Sequence, residues 1–229
     1  MPFYLTPTTI AFIIAALLFI FAGMPAMRSL RHHLFLRKRF ILLEVPAVFF
    51  SAKGGSAPGG KNSGFNDFIK DIPVPFVFEI AVHHLGKGTH YYLAVPKALI
   101  KAIKAKFNFE EASDYNIYHS QWSHLGFYLK SSGLSAVDLN TIDFSRINEV
   151  GEGAVIQLIV VAKKSRKLVN FRVLVSAPTP YQAQEVALGL NASLTEFKPV
   201  AVTKNLTEFI HKTTFREFDW DEVIIWSNI

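Results

Sequence analysis

Three histidines fall within eight positions, His83, His84 and His90, in a stretch whose apolar residues recur at every second place. Imidazole is the commonest protein ligand for a divalent transition metal, and a catalytic site needs three such ligands converging on one point. Neighbouring residues on a strand project to opposite faces, so His83 and His84 cannot enter one site together. No carboxylate stands at a fixed spacing that would complete the set, and His119 and His124 lie further along. These residues read as surface or strand-edge histidines. A metal-dependent enzyme built on the hairpin is the alternative.

Paired carboxylates can share acid and base roles. Glu110 with Glu111, and Asp219, Asp221 and Glu222, are the candidates here. Adjacent acids near the ends of elements read better as solvated faces or as charges that offset a helix dipole. Ser120, Ser131 and Ser132 lack the GxSxG turn that exposes a nucleophilic serine. The chain has no cysteine, which excludes disulfides, thiolate zinc sites and cysteine nucleophiles. From Gly55 to Asn62 the sequence GSAPGGKN approaches the phosphate-cradling GxxxxGK[ST] loop. That loop requires a hydroxyl on magnesium after the lysine and a helix starting at once. Asn62 replaces the hydroxyl and Ser63-Gly64 makes a poor first turn, so segment 51–64 reads as a flexible Gly/Ser/Pro loop. No catalytic residue, metal ligand or cofactor site is assigned.

The elements around these residues begin with a hydrophobic segment. Met1 to Met27 carries no charge, and TTIAFIIAALLFIFAGMPAM (Thr8 to Met27) is long enough to cross a hydrocarbon layer of ~30 Å as a helix. Arg28, Arg31, Arg37, Lys38 and Arg39 follow without an acid, which by the positive-inside rule places that side in the cytoplasm. A cleaved signal peptide would want a charged start, which this chain lacks. The expectation is a single-pass inner-membrane protein, N-terminus out, with the soluble part cytoplasmic. Five of the formal net charge of +6 lie in that basic stretch, leaving +1 for everything else, so no basic nucleic-acid face is demanded. The sequons at Asn191 and Asn205 would then face the cytoplasm.

Beyond this anchor and juxtamembrane segment (1–39), hydrophobic residues at 50% and charged residues at 18% permit a packed core. Phe40 to Phe50 reads as an edge strand interrupted by Pro46. Phe76 to His83 alternates as a half-buried strand, and His90 to Val95 returns as its hairpin partner. Pro96 opens a helix along Leu99, Ile103 and Phe107. A short strand is expected over 115–118. The order repeats in the second half: strands over 155–162 and 168–176, a helix capped by Thr179 with Gln182 three residues on, a strand over 200–202, a helix over 206–212 and a strand at 223–226. The expected fold class is α+β, with an N-terminal transmembrane helix followed by two ferredoxin-like split βαβ units, 40–130 and 131–229.

The stretch PFVFEIAVHHLGKGTHYYLAVPKALIKAIKAKF, with Val95-Pro96 at the strand-to-helix junction, resembles the N-terminal region of conjugative-transfer, type IV secretion ATPases. The segment FRVLVSAPTPYQAQEVALGLNASLTEF continues the likeness. In that family a hexameric motor domain follows, and here the chain stops at Ile229. The resemblance implies a membrane-proximal accessory part without ATPase activity. It also implies partners: the membrane, and a motor ATPase or other secretion-machine subunits. Exposed strand edges are the expected means of docking. Direct nucleic-acid contact is not expected, Lys97, Lys101, Lys104 and Lys106 being the one candidate helix face for it, and self-association is left open.

Overall fold

The computed structural model describes residues 40–47, 65–83, 88–131, 142, 144, 146–147, 151–164 and 166–226, without the side chains of 65–67. Phe40–Ile229 is one compact unit. Its elements are β1 (Phe40–Val45), α1 (Phe65–Lys70), β2 (Phe76–Val82), β3 (Thr89–Pro96), α2 (Ile100–Phe107), β4 (Glu110–Glu111), β5 (Ser123–Lys130), β6 (Gly153–Lys163), β7 (Arg166–Ala177), α3 (Pro180–Ser193), β8 (Lys198–Ala201), α4 (Leu206–Thr214) and β9 (Ile224–Trp226). A single 3-10 turn, Lys97–Leu99, links Pro96 to α2.

The strands make one sheet in the order β4-β1-β3-β2-β6-β7-β5-β8, with β9 added to β7. Each half contributes strand, hairpin, helix, short strand, and the halves have the same internal order, 4-1-3-2 and 8-5-7-6. They meet where β2 pairs with β6, Val77 opposite Ile159 and Ala81 opposite Val155. The two halves are related by a pseudo-twofold across one continuous sheet, and β5 (Ser123–Lys130) belongs to the second of them, on the other side of the expected boundary at 130/131.

Both faces of that sheet are covered. On one, Phe78, Ile80, Leu93, Ile156, Phe171 and Val173 pack beneath α1, α2 and α3, with Phe68, Ile103, Val186 and Leu190 pointing down. On the other, Val77, Ala94, Val155, Ile159 and Leu174 lie under Ile117 and under Phe209 and Ile210 of α4. Burial on both sides explains why β2, β6 and β7 read as nearly unbroken apolar runs, a pattern a central strand requires. Removing apolar surface from water at ~25 cal/mol per Å2 makes these strands the main contributors to stability.

Several expectations are corrected. The expected pair of separate ferredoxin-like units is corrected to one continuous sheet: the strands of both halves share it through the β2–β6 pair, and every strand pair among the described residues is antiparallel. The fold is mostly antiparallel sheet with few helices. The single-pass inner-membrane placement is corrected as well, since among the described residues no helix is long and apolar enough to cross a membrane. The transmembrane helix itself and Arg28, Arg31, Arg37, Lys38 and Arg39 lie outside the described residues, as does the loop 51–64. Residues 115–118 are not a strand; they run without regular structure over the second face. Nor is β2 half buried, because its seven residues are all buried.

Candidate functional site

Perpendicular to the strands, the register places one polar or charged residue on each of seven consecutive strands. Glu110 of β4 pairs with Glu44 of β1, Glu44 with Tyr92 of β3, and Tyr92 with Glu79 of β2. Glu79 pairs with Gln157 of β6, Gln157 with Arg172 of β7, and Arg172 with Tyr128 of β5. Directly paired residues share a face, so this row crosses the middle of the surface covered by α4. Glu79, Gln157 and Arg172 are buried, and a buried charge persists only where it is paired and hydrogen-bonded.

The partners come from the segments lying over the row. Arg216, just after α4, donates from Nε to Glu79 Oε1 at 3.0 Å and from Nη2 to Oε2 at 2.9 Å. Tyr115 Oη donates to Oε2 at 3.0 Å and Gln157 Nε2 to Oε1 at 2.7 Å. These four bonds fill the four acceptor positions of the Glu79 carboxylate. Arg216 also reaches Asp114 Oδ1 at 2.9 Å, and Gln157 Nε2 reaches the Thr213 carbonyl at 2.9 Å.

A second cluster joins the same row to the C-terminal segment. Asn170, fully buried, donates to the carbonyls of Asp219 and Glu222 and accepts from the Asp219 amide. Arg172 Nη2 donates to Asn170 Oδ1 at 3.1 Å and to the Glu217 carbonyl at 2.6 Å, with its guanidinium over the Tyr128 ring. Asp219 Oδ2 accepts from Tyr128 Oη at 2.7 Å and from Lys212 Nζ at 2.9 Å. The positive φ of Arg216 (57°) turns the chain off α4 towards these contacts.

Titration follows this geometry. Burial alone would lower Arg216, but Glu79, Tyr115 and Asp114 hold its pKa above the ordinary value. Burial lowers Arg172 against the opposing pull of Tyr128, Asp219 and Glu217. Burial, then the charges of Glu44 and Glu79, push Tyr92 up to about 12. Tyr115 is raised by burial and by Glu79, and Tyr128 by burial and its bond to Asp219. Burial works to raise Asp219, yet the bonds from Lys212, Tyr128 and the Asp221 amide leave it below the ordinary value. Apart from Arg172, whose charged form burial disfavours, each shift favours the protonation state that the network already uses.

Between these groups lies a cavity of about 20 Å3, lined by Glu79, Tyr115, Asn116, Gln157, Thr213 and Arg216. That volume admits one water, and Ile117, Val155 and Leu174 complete its walls. It is more than tenfold smaller than the ~300 Å3 at the lower end of small-molecule sites. A carboxylate with every acceptor position filled has none left for a substrate proton or a cation.

No family model, curated protein or solved structure matches the chain.

The hairpin histidines come together in a way the sequence did not indicate. His83 and His90 are stacked, ring centres 4.7 Å apart and 11° from parallel, and His83 stacks on Tyr115. Tyr92 Oη lies 3.3 Å from His83 Nε2, and His90 Nδ1 lies 3.4 Å from Glu44 Oε1. Imidazole lone pairs lie in the ring plane, so two parallel stacked rings cannot aim them at one ion. Among the described residues no three His, Cys, Asp or Glu are grouped to hold a metal. His84 lies outside the described residues. His124 Nε2 contacts the His119 carbonyl at 2.9 Å, and His119 stacks on Trp122. Of the acids, Glu111 pairs with Lys104 in the open, while Asp219 belongs to the buried cluster.

Sequence reasoning missed Glu79, Gln157, Asn170 and Arg172 as a set, having assigned Glu79 to a solvent face. A signal was present. Glu79 and Gln157 are each a lone polar residue among apolar neighbours two positions away, as Glu79 is between Val77 and Ala81, and Asn170 and Arg172 stand two apart between Leu168 and Leu174; that pattern marks buried polar partners on a covered face.

Proposed function

We propose that this chain is a non-enzymatic docking module of a multi-subunit machine of the type IV secretion or conjugation kind, with a motor ATPase subunit as its partner. The observation that carries the reading is the saturated Glu79 carboxylate beside a one-water cavity. The best-organised polar cluster holds the C-terminal segment onto the sheet and offers no room for a reactant. The resemblance of β2, β3 and α2, and of β7 and α3, to the N-terminal region of the secretion ATPases supplies the class of machine.

Docking through strand edges finds little support. The outermost strands are two and four residues long, one of them Glu110-Glu111 and the other carrying Lys198 and Pro199. Short, charged, proline-bearing edges are the means by which sheets avoid accepting another strand. The outward stripe of α3 suits a partner better. Tyr181 is 73% exposed and Leu188, two turns on, is 53% exposed, with Gln184 exposed between them. Large apolar groups on one helix face away from the core mark a contact surface.

Placing a photo-reactive phenylalanine analogue at Leu188 in the full chain, expressed in its native cells, tests this. The expected crosslink is to a motor ATPase subunit, weakened by Tyr181→Ala. A chain that stays monomeric and crosslinks to no motor or envelope protein contradicts it.

A further inference from the structure

The tip of the β6-β7 hairpin carries Lys163, Lys164, Arg166 and Lys167, and among the described residues none of the four is ion-paired. Lys163 is paired across the hairpin with Arg166, and Lys164 turns the chain in the left-handed region at φ 57°. Beside this tip stands Trp220, 60% exposed. Lys163 Nζ lies over its ring, 5.2 Å from the centroid. Phe218 meets it edge-on, with ring centres 4.8 Å apart and planes at 68°. Ile225, 49% exposed, is paired with Leu168 on the same hairpin. The nearby acids are mostly occupied: Asp219 by Lys212 and Tyr128, and Glu222 by Lys130. Exposed Asp221 borders the patch.

We infer that this tip and Trp220 form a binding site for single-stranded nucleic acid, one base stacking on the Trp220 ring and Lys163, Lys164 and Arg166 meeting the phosphates that flank it. An aromatic ring and a row of cations held together are the two parts such a site requires, and stacking accepts any base because every base has a π-face. The edge-on packing of Phe218 fixes the ring as a platform. Lys163 lies over the ring and its cross-strand neighbour Arg166 shares its face, whereas Lys167, paired with Ala162, projects to the other face, so a backbone entering beside the ring meets Lys163 and Arg166. A lipid surface would also be drawn to cations and tryptophan, and an acidic peptide to the cations. An acidic peptide has no use for the flat ring, and competition between vesicles and oligonucleotide separates the lipid surface from nucleic acid. This site is distinct from the lysines of α2, where Lys104 and Lys106 are paired with Glu111 and Asp71. It is also independent of the docking stripe on α3.

Fluorescence anisotropy of a labelled oligothymidylate of about 16 nucleotides with the full chain, titrated from about 50 to 200 mM salt, tests the inference. The expected result is binding whose logarithm falls linearly with that of the salt concentration. Trp220→Ala lowers affinity about tenfold at fixed salt, and Trp220→Tyr, which keeps a stacking face, restores most of it. Lys163→Gln with Arg166→Gln lowers the salt slope by about two, whereas Lys97→Gln with Lys101→Gln leaves it unchanged. Asp221→Asn strengthens binding. Absence of binding at the lowest salt overturns the inference, as does equal affinity for Trp220→Ala. Tight binding to phosphatidylserine vesicles that the oligonucleotide does not compete away also overturns it and assigns the patch to a lipid surface.

Discussion

Arg216 donates two parallel hydrogen bonds to Glu79, a residue 137 positions earlier in the chain. The pair clamps the segment after α4 onto the middle of β2, and both side chains are almost wholly enclosed, 10% and 2% exposed. A bidentate guanidinium–carboxylate contact fixes orientation as well as distance, so this contact sets where α4 lies across the sheet.

Removing either partner strands a buried charge. Arg216→Ala and Glu79→Ala should each cost about 3–5 kcal/mol in urea unfolding. The double substitution Glu79→Met, Arg216→Met should cost clearly less than the two single changes added together, because no charge is left uncompensated. Additive losses would show that the two side chains act separately.

Alkaline pH should undo the same face. Tyr92 has an ordinary value of 10.0 and is pushed up to about 12 in the folded chain by burial and by Glu44 and Glu79. A group whose folded pKa is raised contributes stability in full below its unfolded value and loses it as pH climbs through the folded one. Stability should therefore fall between pH 10 and about 12, with tyrosinate absorbance rising as the near-ultraviolet dichroism is lost. Tyr92→Phe should make that fall shallower.

At the acid end the sign reverses. Asp219 is held below its ordinary carboxylate value, burial notwithstanding, by Lys212, Tyr128 and the Asp221 amide. Its contribution is present above its unfolded value of ~3.9 and is lost as pH falls through the lower folded one. Asp219→Asn should lower stability by about 1–3 kcal/mol near neutrality. It should also flatten the acid limb of a plot of unfolding midpoint against pH.

Gly126 of β5 lies directly beneath α4. A methyl group there would meet Phe209 Cε1 at 2.5 Å and Cδ1 at 2.6 Å, and Phe209 is buried. Gly126→Ala should cost about 1–3 kcal/mol through overpacking and speed amide exchange in α4 selectively. Adding Phe209→Leu should recover part of the loss.

The parts of the fold governed by local chemistry were readable. Thr179 caps α3 as its spacing to Gln182 indicated, its Oγ1 accepting from the Gln182 amide at 3.3 Å with Pro180 at the first position. The stripe Ala183, Val186, Ala187, Leu190 and Leu194 is buried. Long-range pairing was not readable: nothing local tells β2 that it pairs with β6 and does not end its sheet, and that choice separates one continuous sheet from two separate layers. β5 was overlooked although Leu125, Phe127 and Leu129 alternate, because Gly126 and His124 weaken its strand character. The buried row escaped because seeing it requires the register of six strand pairs at once.

We propose that the chain docks and does not catalyse. It is tested most directly by the crosslinking partner of Leu188 on α3 in the full chain in its native cells. The prediction is a covalent adduct with a motor ATPase subunit that Tyr181→Ala diminishes. A monomeric chain with no motor or envelope protein attached at that position would contradict it.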